Sequence, residues 1–234
     1  MKLEFKFDLQ KEAENWVGFI IDHEPCYGMN KNAYNLCLCA IPEELKNRVS
    51  KLSKEKAVKE VLMFLKNDPR RQLKQRFIDV QIKALQRIWK EKGNDLVKNL
   101  EKTYMRNLPE KVIAYITYLL ICDYNFKEKY FHLSLYHPIS KNFTLIAHEL
   151  AHFIFYQHYE NYCKSKGLNE NQFQDLKESM TVLLNLEDFD QLLLVDDGGY
   201  PNHQKLRKFI FETYLQNRDF VETLDKAILK INKT

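Results

Sequence analysis

The stretch His148-Glu149-Leu150-Ala151-His152 decides how this chain is interpreted, because it places two histidines four residues apart on one face of a predicted helix. That helix covers residues 143–162, is strongly apolar, and contains no internal glycine or proline. Both imidazoles can therefore bind one metal ion. Glu149 would lie beside the ion, where its carboxylate can take a proton from zinc-bound water.

The surroundings of this motif favour a catalytic zinc site over a structural one. Structural zinc sites close with four protein ligands and are rich in cysteine, whereas catalytic sites keep three protein ligands and leave one position for water. No cysteine pair lies near the motif, and the five cysteines are scattered without a CxxC pair: Cys26, Cys37, Cys39, Cys122 and Cys163. We therefore expect Zn²⁺ as the cofactor and free thiols for the cysteines.

Two residues are candidates for the third ligand. Glu178 lies on the next predicted helix, and the 26 positions from His152 allow a loop and a return against the motif helix. Its apolar neighbours indicate an enclosed helix rather than an ordinary solvated glutamate. His158 falls ten positions after His148, a spacing found in some zinc proteases, but an unbroken helix turns it about 240° from His152. We therefore prefer Glu178 to His158.

Two further residues are candidates for holding a ligating imidazole in place. Asp175 lies about one helical turn before Glu178 and has the carboxylate that commonly orients a metal-binding histidine. Thr181 can act in a similar way through its hydroxyl group. The alternative for Asp175 is a side chain that simply faces solvent.

The HELAH sequence followed by a glutamate on a second helix resembles the zincin metallopeptidases, and within them the gluzincin arrangement of two histidines and one glutamate. The motif match covers residues 143–186, and the chain is also similar to short cytosolic HExxH proteins of microbial type. It departs from the best-known gluzincins at 177–181, where Lys-Glu-Ser-Met-Thr replaces an Asn-Glu-x-x-x-Asp segment.

The resemblance implies a peptidase acting on a peptide or protein substrate. It implies an antiparallel edge strand beside the motif helix, for which the predicted strand at 130–136 is suitably placed. It also implies a histidine or tyrosine that donates a hydrogen bond to the oxyanion, and Tyr200 and His203 offer both residue types. The alternative for the segment 198–203 is a capped surface turn.

The remaining pattern predicts a mainly helical α+β fold with a small antiparallel sheet and a zincin-like core. Residues 1–234 are expected to form a single domain, in which a basic helical region at 43–105 packs on the core at 112–234. The predicted strands cover 16–21, 35–39, 112–118 and 130–136, the last two forming a hairpin. The predicted helices cover 43–66, 70–92, 94–104, 143–162, 171–185, 202–216 and 219–231.

The charge distribution supports an alternative function. Residues 46–92 contain fifteen basic and five acidic side chains, so this segment has a net charge of +10 while the rest of the chain is −6. A basic helical face can bind nucleic acid or a protein partner, with zinc then structural or vestigial. Interleaved apolar positions favour the simpler interpretation of a solvated face on amphipathic helices. A degenerate zincin kept as a scaffold is disfavoured by the intact Glu149.

The sequence also bears on location. The N-terminus lacks the long apolar stretch and the small-residue cleavage site of a signal peptide. The longest apolar segment, at 112–122, is shorter than the roughly 20 residues that cross a bilayer. Together with the scattered cysteines, these features predict a cytoplasmic protein without a membrane segment.

Overall fold

Helices account for most of the described chain. The structure, a computed structural model, describes residues 1–21, 31–121 and 123–233. The helices are α1 (Leu9–Ile21), α2 (Lys31–Cys37), α3 (Glu43–Val49), α4 (Lys54–Lys66), α5 (Arg71–Tyr104), α6 (Ile139–Ser165), α7 (Glu170–Met180), α8 (Gln204–Asn217) and α9 (Phe220–Ile231). The strands are β1 (Lys2–Lys6), β2 (Lys111–Thr117), β3 (Tyr124–Asn125) and β4 (Tyr130–Ser134). The predicted mainly helical α+β class is confirmed.

Two compact units make up the chain. The sheet unit comprises Lys2–Ile88 and Lys111–Asn142, and the motif unit comprises Trp89–Glu110 and Phe143–Thr234 together with Met1. The single-domain organisation stays a prediction. Cys37, Cys39 and Cys163 are free thiols, as predicted, while Cys26 and Cys122 lie outside the described residues. Within the described ranges, no helix has the length and apolar character needed to cross a membrane.

The sheet is mixed, with the strand order β1-β2-β4-β3. The predicted hairpin is wrong, because β2 and β4 are parallel neighbours in which Ile113 lies opposite Tyr130. β1, which the pattern did not predict, adds a second parallel pairing with β2. Only β3 and β4 are antiparallel. Alternation and composition predict a strand but do not choose its partner or direction, which depend on contacts distant in sequence.

The predicted edge strand at 130–136 is not an edge along its first half. β3 pairs with Tyr130 and Phe131, and the N–H of His132 donates a hydrogen bond to the carbonyl of Asp123 at 2.8 Å. This part of β4 therefore has hydrogen-bonded neighbours on both sides.

Two strands predicted near the N-terminus are wrong, because residues 16–21 belong to α1 and residues 35–37 end α2. The side chain of Asp8 accepts hydrogen bonds from the backbone N–H groups of Gln10 and Lys11 at 2.7 and 3.0 Å. This N-cap starts α1 well before the apolar run that suggested a strand. Trp16 and Val17 are then buried as part of a helical face.

The boundaries of the central helices also differ from the prediction. The predicted helix at 43–66 is divided into α3 and α4, whereas those at 70–92 and 94–104 form the continuous α5. Gly93 does not interrupt α5. A Cβ atom at this position would lie 2.7 Å from the indole ring of Trp89, so the missing side chain makes room for that ring. Gly93 therefore serves packing rather than helix termination.

α6 forms the centre of the motif unit. The ring of Phe155 stacks on Phe173 of α7 at a centroid distance of 5.7 Å, and Tyr159 lies 4.9 Å from Phe220 of α9. The hydroxyl group of Tyr159 donates a hydrogen bond to the carbonyl of Tyr104, the last residue of α5, at 2.6 Å. The helices predicted at 143–162, 202–216 and 219–231 are thus present with shifted ends.

His132 is buried in the sheet unit, and we expect it to make this unit less stable in acid. Burial lowers its pKa to about 4, although the hydrogen bond with the Asp123 carbonyl at 3.2 Å opposes that shift. The unfolded chain binds the proton near pH 6.5, so acidification from pH 6.5 to 4 favours unfolding. Between pH 6.5 and 4, protonation of the unfolded chain at His132 lowers the free energy of unfolding by about 3 kcal/mol. We expect His132→Phe to abolish this part of the loss.

Urea unfolding of both proteins between pH 7 and 4 tests this expectation. The stability difference between wild type and His132→Phe should change across that range. Parallel stability curves would show that His132 does not contribute to acid sensitivity.

Candidate metal centre

α6 and α7 bring three potential metal ligands together. Nε2 of His152 lies 3.1 Å from Oε1 of Glu178, and Nε2 of His148 lies 3.6 Å from Oε2 of the same carboxylate. One ligand atom from each residue lies within 4.8 Å of the other two. The three residues chosen from the sequence therefore converge on one point that could hold a metal ion.

The chemistry of this cluster fits a metal ion. His152 and Glu178 are buried, and the side chain of His148 is 12% exposed. The two imidazole rings lie with their centroids 4.3 Å apart, as the spacing of four residues on one helix predicts. Two nitrogen donors and one carboxylate form the donor set of many catalytic zinc sites and leave a position for water.

Local signals in the sequence bring Glu178 back to α6. Gly167 follows α6 with φ of 97°, a left-handed conformation that favours glycine and ends the helix. Asn169 and Gln172 then form a capping box, with hydrogen bonds of 2.9 and 3.0 Å between each side chain and the other residue's backbone N–H. The chain therefore reverses within a few residues, and α7 begins at a defined position.

The end of α7 is also held in place. The hydroxyl group of Tyr104 donates a hydrogen bond to the carbonyl of Met180 at 3.0 Å. From Thr181 to Asn185 the helix tightens into a 3₁₀ turn, so the helix predicted at 171–185 is present only as far as Met180. This anchoring fixes the last turn of α7, which includes Glu178.

Asp197 contacts the first histidine and was not selected from the sequence. Its Oδ1 lies 2.9 Å from Nδ1 of His148, so a neutral imidazole that ligates a metal through Nε2 donates its Nδ1–H to this carboxylate. The orienting role predicted for Asp175 is wrong, because Asp175 contacts His203 instead. The only local signal for Asp197 was the acidic Asp-Asp-Gly-Gly turn at 196–199.

Thr181, Asn185 and Arg207 hold Asp197 in place. The hydroxyl group of Thr181 donates to Oδ2 of Asp197 at 2.6 Å, so it contacts the carboxylate beside His148 rather than a ligating imidazole as predicted. The guanidinium of Arg207 donates to the same oxygen at 3.0 Å and also to the backbone carbonyl of Asp197. Asn185 binds both backbone polar groups of Asp197, at 2.8 and 3.1 Å.

Only glycine fits at position 199, because the Arg207 side chain lies against its backbone. Its φ is 61°, and a Cβ atom there would lie 2.6 Å from the guanidinium carbon. The guanidinium group also donates to the carbonyl of Glu178 at 3.2 Å. One buried cation therefore connects the end of α7, the turn at 196–199 and α8.

The electrostatics of the cluster favour a positive charge between the carboxylates. Burial lowers the pKa of His148, but the charge and hydrogen bond of Asp197, together with nearby Glu178, outweigh burial and raise the pKa to about 10. Burial also lowers the pKa of His152, to about 3, despite the charge of Glu178. The carboxylates that stabilise a proton on His148 would likewise stabilise a metal cation.

Glu149 and Lys177 complete the charged surroundings. Glu149 is buried next to His148 in sequence, and Lys177 is buried with its Nζ 3.1 Å from Oε1 of Glu178. Burial raises the pKa of Glu178, but the contacts with His152, the charge of Lys177 and the contact with His148 outweigh this effect and hold the pKa well below its usual range. Glu178 is therefore ionised and able to ligate a cation.

The candidate oxyanion donors lie in the turn before α8. His203 is buried, and its Nε2 lies 3.0 Å from Oδ1 of Asp175, one turn before Glu178 on α7. The Tyr200 ring packs edge-on against His203 at a centroid distance of 5.9 Å. His203 and Asp175 line a cavity of about 440 Å³ whose described lining does not include the three potential metal ligands. A catalytic role for either residue stays a prediction.

His158 lies outside the cluster. Its Nε2 is 2.9 Å from the carbonyl oxygen of Asn107. α6 continues unbroken to Ser165, so His158 lacks the turn that would bring it back to the ion. This placement agrees with the preference for Glu178.

Comparisons with protein-family models, with curated proteins and with solved structures find no match for this chain.

The cluster predicts that Glu178 is required for metal binding. We expect Glu178→Gln to weaken zinc affinity more than about 100-fold, since loss of a ligand costs at least as much as loss of its supporting contacts. Competition with a chelating dye measures this affinity. Glu170→Gln, on the same helix but paired with Lys164 at the surface, is the matched control and should bind zinc normally.

Asp197 should affect zinc affinity without touching the ion. We expect Asp197→Asn to weaken zinc binding about 10- to 100-fold, because His148 loses the carboxylate that orients it. Asp196→Asn, at the exposed neighbouring position, is the control. Unchanged affinity in folded Asp197→Asn protein, with the fold checked by circular dichroism, would contradict this role.

Proposed function

We propose that this protein is a zinc-dependent hydrolase that cleaves peptide bonds. The observation that carries the proposal is the convergence of His148, His152 and Glu178 on one point, with the buried Glu149 next to His148 in the sequence of α6. A purely structural site has no use for a carboxylate at this position, whereas hydrolysis requires a base there. The choice of peptide bonds rests on the resemblance of the HELAH segment to zincins.

Zinc is the metal that the donor set favours. Imidazole nitrogen and carboxylate oxygen together suit Zn²⁺, whereas Mg²⁺ and Ca²⁺ prefer oxygen ligands alone. When bound, the zinc ion would supply Lewis acidity, which lowers the pKa of a water molecule toward about 7. Asp197 would keep His148 in the tautomer that presents Nε2 to the metal.

Glu149 is proposed as the general base and then the general acid. Its carboxylate would accept a proton from the attacking water and pass that proton to the leaving nitrogen. Its burial and its position next to His148 in the sequence support this role, because a general base must lie close to the proton that it accepts.

Tyr200 and His203 are proposed as donors to the oxyanion that forms at the attacked carbonyl. The contact with His203 is made by Asp175, which lies one helical turn before Glu178 on α7, and it holds the imidazole in place. The packing of Tyr200 on His203 restricts both rings. A donor that is already oriented stabilises developing charge without reorganisation during the reaction.

Substitution of Glu149 tests the proposed function. We expect Glu149→Gln to retain zinc and to lose at least about 100-fold in peptide hydrolysis, because the amide cannot accept the proton. Zinc content is measured by elemental analysis, and cleavage by a quenched fluorescent peptide library incubated with the zinc-loaded protein.

Glu160→Gln is the matched control for this experiment, since Glu160 lies on the same helix and pairs with Lys164 at 2.7 Å. The control should keep both zinc and activity. Normal hydrolysis by zinc-loaded Glu149→Gln would remove Glu149 from the mechanism. Zinc-loaded wild type without hydrolytic activity would reject the enzyme and leave a metal-binding protein.

A further inference from the structure

The first half of α5 exposes a row of large apolar side chains. Leu73, Phe77 and Val80 are 54%, 57% and 66% exposed. Their spacing of four and three residues places them on one face of the helix, along about 10 Å of its axis. Single exposed apolar residues are common, but three that adjoin form a continuous surface. We call this row, together with Arg76 and Lys83, the α5 face.

Cations follow one side of this row. Arg76 and Lys83 lie about 65° to 90° around the helix from the centre of the apolar row, both on the same side. Neither makes an ion pair with any other residue that the structure describes. On the opposite side, Lys74 is held by Asp68 at 2.6 Å and Gln81 is buried. The α5 face is therefore apolar along its centre and positively charged along one border.

We propose that the α5 face docks an acidic amphipathic helix from a partner protein. Such a helix would place its own apolar residues, at the same spacing, against Leu73, Phe77 and Val80. Its acidic residues would face Arg76 and Lys83, whose charges lack carboxylate partners within the described chain. The net charge of +10 over residues 46–92 would accelerate the approach of an acidic partner.

Other occupants fit the α5 face less well. Two copies of this chain related by a two-fold axis would place Arg76 and Lys83 either against the same cations or against the border that carries Lys74 and Gln81, and neither border supplies an unpaired carboxylate. Nucleic acid would leave the apolar row without matching groups, because its binding depends on phosphates and on groove or stacking contacts. An anionic membrane is better matched by an amphipathic helix with cations on both borders.

Fluorescence anisotropy with a designed peptide tests the proposal on the full chain. The probe is a fluorescein-labelled, end-capped helix of about 16 residues, with leucine at the spacing of the apolar row and glutamate along one border. A second peptide has the same composition in scrambled order. We expect wild type to bind the first peptide at least about tenfold more tightly than the scrambled one.

Three variants separate the contributions of the α5 face. Phe77→Ser and the double change Arg76→Glu with Lys83→Glu should each weaken binding at least about tenfold. The matched control changes Lys51 and Lys56 to glutamate, which alters the net charge equally at two exposed positions elsewhere in the basic segment. Binding by this control should change by less than about threefold. Unchanged thermal midpoints establish that all variants fold.

Several outcomes would overturn the proposal. Equal binding of both peptides, or equal losses in the two charge variants, would show nonspecific attraction to a basic surface. Failure of wild type to bind the peptide would reject a helical acidic partner. Stronger binding to phosphatidylserine vesicles or to duplex DNA, tested in parallel, would assign the α5 face to a membrane or to nucleic acid.

Discussion

The contact between Asp197 and His148 connects most of the candidate metal centre. One oxygen of this carboxylate reaches the imidazole, and the other accepts hydrogen bonds from Thr181 and Arg207. Arg207 in turn donates to the carbonyl of Glu178, so the histidine and the carboxylate ligand share a single buried network. Displacing Asp197 would therefore disturb both sides of the metal position at once. Arg207 joins α8 to the same network through its hydrogen bonds with Asp197.

A buried network of charged groups contributes little to the stability of a fold. Removing charged groups from water costs several kcal/mol per ion, and apolar residues of similar size often give a more stable protein. Here Glu149, Lys177, Glu178, Asp197 and Arg207 are all buried within one region. Such an arrangement is expected where charges serve chemistry, because a water-excluded site strengthens each electrostatic interaction with a bound cation or a reacting group.

On the α5 face, in contrast, the charged side chains are exposed to solvent. Arg76 and Lys83 lie in solvent, where salt screens their fields and each surface pair contributes little to stability. Their effect is on recognition instead, since exposed cations beside an apolar row discriminate among partners by charge and by spacing. The chain thus keeps its candidate chemistry inside the motif unit and its candidate docking surface on the solvent-facing side of α5.

Local sequence determined much of the candidate centre. Four-residue spacing put His148 and His152 on one helix face, and Gly167 with the Asn169 capping box set where the chain reverses before Glu178. These features depend on neighbours within a few residues, so the sequence was enough to predict the three residues that could hold a metal ion. Helix ends, capping and spacing together also predicted the mainly helical class.

Tertiary structure alone decided the remaining features. β2 and β4 are parallel neighbours, with β1 and β3 on either side, and such pairing depends on residues far apart in the chain. Asp197 reaches His148 across 49 positions, and only packing of the turn at 196–199 against Arg207 brings it there. Periodicity and spacing report short-range geometry, whereas strand direction and converging carboxylates result from long-range contacts that no local pattern encodes.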